Sequence, residues 1–180
     1  GGHILHGGSN GFGARNWRIL DAGPTHASFG LTDPDGHMGF PGTVKTTCTY
    51  SIAETDKQAT LRVAFSATTD APTLVNVGHH SYFCLDDSRD IRKHHLRIDA
   101  DRYLPTDKTA LPTGEVAAVD GTGFDFRTSR PVEGTFDHNF CLADLRRDIA
   151  PVAQLSSPRS RLSMQVSTTE PGLQLYTCLL

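Results

Sequence analysis

The histidine pair His79-His80, set between Gly78 and Ser81-Tyr82-Phe83, is the stretch of this 180-residue chain best suited to proton transfer. An imidazole with an ordinary pKa of about 6.5 gives or takes a proton near neutral pH. Successive side chains of a strand point to opposite faces, so neighbours cannot serve one pocket unless the chain bends between them. One of the two at most is expected to do chemistry. Gly78 permits a departure from a regular strand, and Ser81 adds a short hydroxyl beside the imidazole. The bland alternative is an inert, hydrogen-bonded histidine at a strand end. A second pair, His94-His95, raises a metal reading that the pattern disfavours. Metal ligands converge whereas strand neighbours diverge, and no cysteine or carboxylate stands at a familiar metal-site spacing. His94 and His95 are expected at the surface of a strand end, and His3, preceded by Gly1-Gly2, reads as a solvated terminal residue.

The elements that must position such groups read as strands. Residues 72–77 form an apolar alternating run into the first histidine pair. Val44, Thr46, Cys48, Tyr50 and Ile52 alternate with polar neighbours, as do Leu61, Val63, Phe65 and Ala67, with a polar turn between the two runs. Period-two patterning of this kind predicts an antiparallel hairpin. Further strands are predicted over residues 94–100, 116–119, 162–167 and 173–178, and a strand end at Asp137-His138 before Phe140-Cys141-Leu142. In the last run Gln174, Tyr176 and Cys178 share one face, while Leu173, Leu175 and Thr177 share the other. Residues 17–31 are mixed, with a break at Gly23-Pro24. Residues 33–42 read as a turn-rich loop in which His37 is a surface residue. With no amphipathic helix and no internal repeat, the pattern predicts an all-β chain folded as an antiparallel sandwich. A length of 180 residues fits one domain spanning residues 1–180.

Composition narrows the partners. A net charge of −3 provides no basic surface for nucleic acid and no polybasic membrane anchor, so a neutral small molecule is the better fit. No apolar run is long enough to span a bilayer as a helix, and no signal-peptide pattern opens the sequence. The chain is therefore expected to be soluble. Four cysteines, Cys48, Cys84, Cys141 and Cys178, contain no CxxC pair. They read as buried free thiols of a reducing compartment, the cytoplasm, or as two disulfides in a secreted form. Gly121-Thr122-Gly123 lacks a following helix pattern and is no nucleotide-binding loop.

Asn76-Val77-Gly78-His79-His80-Ser81-Tyr82-Phe83 resembles the N-x-x-N-H-S-Y-F motif of the aldose 1-epimerases, or galactose mutarotases. Other segments resemble the same family in the same order along nearly the whole chain. They are Leu5-His6-Gly7-Gly8, then Asp33-Pro34-Asp35-Gly36 with Gly39-Phe40-Pro41-Gly42, and Ala100-Asp101-Arg102-Tyr103-Leu104-Pro105. Gly121-Thr122-Gly123-Phe124-Asp125-Phe126-Arg127, Phe136-Asp137-His138-Asn139-Phe140 and Thr168-Thr169-Glu170-Pro171-Gly172-Leu173-Gln174 follow. The fold that this resemblance implies is the large supersandwich of that family, here incomplete.

The resemblance implies interconversion of the α and β anomers of free aldohexoses such as galactose or glucose, with no cofactor and no metal. It carries the acid role to His80, the partner histidine to His6, and binding of sugar hydroxyls to Asp137 and Gln174. Phosphate on the sugar is disfavoured, because Arg and Lys do not cluster beside these residues. There are departures from the family pattern. His79 replaces the second asparagine of the motif, and His37 a commonly acidic residue. Glu170 stands where glutamine is frequent. The family's catalytic glutamate belongs to a segment beyond the T-T-x-P-G motif, and its sugar-binding asparagine-arginine pair precedes L-H-G-G; this sequence stops at Leu180 and starts after that pair. The expectation is the central portion of a mutarotase, whose activity needs that glutamate from sequence outside this chain, or a degenerate or truncated domain that binds carbohydrate, or merely folds, without turnover. A homodimer formed through exposed sheet edges is also expected.

Overall fold

The break at Gly23-Pro24 folds β1 (Arg18–Gly23) back onto β2 (His26–Asp33), two strands standing where the sequence reads as mixed. All six β1 residues are exposed, so no apolar alternation marks that strand in the sequence. The predicted hairpin follows as β3 (Val44–Thr55) and β4 (Gln58–Thr69), paired antiparallel in unbroken register from Val44 opposite Thr69 to Thr55 opposite Gln58. These strands form one sheet of order β1-β2-β3-β4. Leu31, Val44, Thr46 and Cys48 are buried at one end of it, whereas Ile52 and Leu61 stand exposed at the other. The computed structural model describes residues 3–178, so Gly1 and Gly2 before His3, and Leu180, lie outside the described residues. The chain divides into two units, the first ending at Ser81 and the second beginning at Tyr82.

The alternating run at residues 72–77 does not form a strand. Leu74 and Val75 are exposed. Alternation alone does not make a strand, which also needs a paired ladder.

The second unit is a sandwich of two four-stranded antiparallel sheets. Its strands are β5 (His95–Ile98), β6 (Arg102–Leu104), β7 (Ala117–Ala118), β8 (Arg130–Pro131), β9 (Asp137–Cys141), β10 (Ala150–Ser156), β11 (Ser163–Thr168) and β12 (Gly172–Tyr176). One sheet runs β11-β10-β5-β8, the other β12-β9-β6-β7. Leu96, Ile98, Val152 and Ala153 from the first pack with Phe140, Leu173 and Leu175 from the second, around Phe126, Phe136, Val119 and Val132. Burying each aromatic ring of this kind stabilises the fold by about 1.5–3 kcal/mol. The Arg130 guanidinium lies 4.0 Å over the Phe126 ring and closes one side of the core. Helix is confined to three single 3-10 turns among the described residues, Phe12–Ala14, His37–Gly39 and Ile91–Lys93. The architecture is all-β and antiparallel, as the patterning predicts.

Candidate active site

Two of the four residues that the sequence singles out meet in the first unit. The His6 and His80 rings pack edge to face with centroids 5.1 Å apart. His6 sits on a loop that turns sharply, with φ of 54° at His6 and 80° at Gly7, and is stitched by Gly8 N–H to Leu5 O and Gly11 N–H to Gly8 O. Gly11 has to be glycine, since a Cβ there would lie 2.2 Å from the His6 carbonyl oxygen. His6, Gly8, Gly11, Gly13 and Ala14 line an open cavity of about 310 Å³. That volume is at the lower end of the range of small-molecule sites.

His79 and His80 have different neighbours although the stretch is not a strand. His79 Nε2 lies 2.9 Å from Ser81 Oγ, and its ring packs edge-on to Tyr50 at 5.8 Å. Tyr50 in turn stacks edge to face on Phe29. Burial pushes the Cys48 thiol above its ordinary pKa, the Tyr50 hydroxyl opposing part of that rise. His37, expected at the surface, is instead half-buried. Its Nδ1 lies 2.8 Å from the Asp33 carboxylate, which also receives Arg15, and its Nε2 lies 3.2 Å from the Asn10 amide. Asp33 is buried, and a buried carboxylate needs such donors.

The other two predicted residues meet in the second unit. Antiparallel pairing of β9 with β12 sets Asp137 opposite Tyr176 and Asn139 opposite Gln174. Strand parity turns Phe140, Leu173 and Leu175 into the core and leaves Asp137, Gln174 and Tyr176 exposed on the opposite face. Gln174 Nε2 donates to Asp137 Oδ1 at 2.8 Å across the diagonal of that pairing, and Asn139 Nδ2 donates to Gln174 Oε1 at 3.5 Å. The Tyr82 and Tyr176 rings lie 5.9 Å apart beside them. Hydrogen bonding to the Cys178 thiol, with Tyr82 and Asp137 also near, raises the Tyr176 hydroxyl above its usual pKa. Asn139 and Tyr176 were not singled out in the sequence. Parity was the available signal, since each lies two residues along its strand from a named one. A carboxylate chained to two amides offers both donors and acceptors, which suits neutral hydroxyls.

His94, expected at the surface, is fully buried. Its Nε2 accepts the Leu85 N–H at 3.0 Å, which draws the ring inward. Cys84, Asp86 and His94 bring potential ligand atoms within 4.8 Å of one another. Those atoms are already engaged: one Asp86 oxygen accepts from Ser157, the other from the Ser88 N–H and hydroxyl, and His94 Nε2 from Leu85. The Ser157 hydrogen bond, followed by those from Ser88, holds the Asp86 carboxyl well below the usual carboxylate range. The cluster ties the chain after Cys84 to the sandwich. Of the four thiols, all free, Cys48 is buried and Cys141 half-buried, while Cys84 and Cys178 are exposed, contrary to the expectation that all are interior.

The family model described as Aldose 1-epimerase matches residues 1–178. Aldose 1-epimerase of Haemophilus influenzae is 34% identical over 97% of this chain and 54% of its own length. Galactose mutarotase of Homo sapiens is 40% identical over 96% of this chain and 52% of its own length. The crystal structure of an aldose epimerase homologue from C. elegans superimposes with a TM-score of 0.88 at 30% identity, covering 97% of this chain and 55% of that one. Galactose 1-epimerase from Lactobacillus acidophilus gives a TM-score of 0.72 over 85% of this chain and 48% of its own, also at 30% identity. The chain thus spans about half the length of the curated relatives it matches. Family match, shared fold and the ordered motifs agree, and the chain belongs to the aldose 1-epimerase family.

Proposed function

We propose that this chain carries the acid–base and hydroxyl-binding groups of an aldose 1-epimerase acting on free aldohexoses such as galactose or glucose. The observation that supports this most is the approach of the His6 and His80 rings beside an open, glycine-lined cavity. Anomer exchange opens the pyranose ring. A base takes the proton from the anomeric hydroxyl, an acid protonates the ring oxygen, and after rotation about the C1–C2 bond the roles reverse. His80 is the acid, and within this chain His6 is the group that can take the anomeric proton. Asp137 and Gln174 hold sugar hydroxyls, supported by their mutual hydrogen bond on an exposed sheet face. Proton transfer alone drives the reaction, so no cofactor or metal enters it. Free and partly exposed thiols suit a reducing compartment such as the cytoplasm.

A second reading is a carbohydrate-binding domain without turnover, supported by the exposed chain of hydroxyl-binding groups Asp137, Gln174 and Asn139. Both readings require sugar binding. Galactose added to the protein should shift the His6 and His80 imidazole resonances along one saturable curve and leave His26 and His95 unmoved. Failure of His80 to respond at any galactose concentration would exclude both.

A further inference from the structure

We infer that His138 is a positioning residue for Asp137 and makes the placement of that carboxylate pH-dependent. The inference rests on the proposed sugar-binding role of Asp137. Beyond Leu104 opposite Asn139, β6 supplies no partner to β9, so the edge-facing N–H of Asp137 needs another acceptor. His138 Nδ1 provides it, accepting that N–H at 3.1 Å, while Nε2 lies 3.3 Å from Thr106 Oγ1. With Nδ1 as acceptor, the imidazole is neutral and carries its proton on Nε2, which donates to the Thr106 hydroxyl.

The ring has little freedom to change these partners. It is half-buried, edge to face with Phe124 at 4.6 Å and with Tyr103 at 6.1 Å, and Tyr103 stacks on Phe124 at 4.0 Å. Leu175 stands opposite it on β12. The titratable side chain packed against the ring is Tyr103; Asp137 meets it through its backbone N–H with its carboxylate on the opposite face, and Phe124, Thr106 and Leu175 carry no charge.

A second proton on the ring would sit on Nδ1 and face the Asp137 N–H, donor against donor. A side-chain amide could rotate to offer its oxygen, but a backbone N–H has no such option. Turning the imidazole over presents a carbon instead, which loses the same hydrogen bond. Protonation of His138 therefore releases the backbone of the residue whose carboxylate holds Gln174.

Two substitutions separate the acceptor from the packing. His138→Asn keeps an acceptor oxygen close to the Nδ1 position and cannot titrate, whereas His138→Phe keeps an aromatic ring and removes the acceptor. In the unaltered chain a through-hydrogen-bond ¹⁵N–¹⁵N coupling between the Asp137 amide and His138 Nδ1 should be present above the His138 midpoint and vanish below it. Galactose affinity should fall about fivefold across the same step, the value of one ordinary hydrogen bond. His138→Asn should bind without that step, and His138→Phe should bind about fivefold more weakly at every pH. A coupling absent at neutral pH, an unchanged pH step in His138→Asn, or undiminished binding by His138→Phe would overturn the inference. A coupling that vanishes in acid, with no galactose binding at any pH, would sustain it and remove the sugar reading.

Discussion

Backbone shape and hydrogen bonding at single residues explain how short, exposed side chains are held. The loop at His6 turns through left-handed residues, and Gly11 closes it at a distance that no other side chain allows. Asp86 is the clearest case of a side chain that ties segments together, since Ser157 comes from a distant turn and Ser88 from its own. Its depressed carboxyl pKa has a definite consequence. The stabilisation is fully present above the unfolded carboxylate value of about 3.9 and fades as pH falls through the lower folded value. Urea unfolding of the second unit should therefore show stability declining below about pH 4, and Asp86→Asn should be less stable at pH 7 with a flatter acid limb. An identical acid limb in the variant would show that this carboxylate contributes nothing.

Strands do most of the placing. The β9–β12 register alone brings Asp137 to Gln174, and it is held by core residues on the other face. Phe140 is fully buried in that packing, so Phe140→Ala should destabilise the second unit by about 3–5 kcal/mol in urea unfolding. A loss below about 1 kcal/mol would mean that the core closes over the gap without effect on the register. The hairpin β3–β4 was legible because period-two alternation matches the pleat, although burial follows it only over Val44 to Cys48, whereas in β12 the alternation does record burial on one face. β1 was not, being exposed throughout, and β10 begins with Ala150-Pro151 and a register shift that hide its pattern. Residues 72–77 carried the alternation without becoming a strand, since pairing partners are not written in a local stretch. His6, His80, Asp137 and Gln174 were named from the family motifs, whereas the approach of His6 to His80 and the hydrogen bond from Gln174 to Asp137 are visible only in the fold. His94 and His37 were misread as surface because a polar residue type gives no sign of the partner that holds it inside, the donating Leu85 N–H for His94 and the buried Asp33 carboxylate for His37.

At the scale of the whole molecule, β1 and β4 are the edge strands of the first unit's four-stranded sheet among the described residues, and Ile19, Ile52 and Leu61 are exposed upon it. Unpaired backbone next to apolar side chains favours pairing with a second copy. Sedimentation velocity should show a concentration-dependent dimer that Leu61→Lys weakens; a monomer at every concentration would refute self-association through this sheet. The central claim concerns catalysis by the chain as it stands. Polarimetry of freshly dissolved α-galactose tests it most directly, comparing the protein, its His80→Ala variant and buffer. The account predicts that the protein speeds the approach to anomeric equilibrium and that the variant loses about a hundredfold to ten-thousandfold of that acceleration. A rate equal to buffer, or a variant as fast as the unaltered protein, would contradict it.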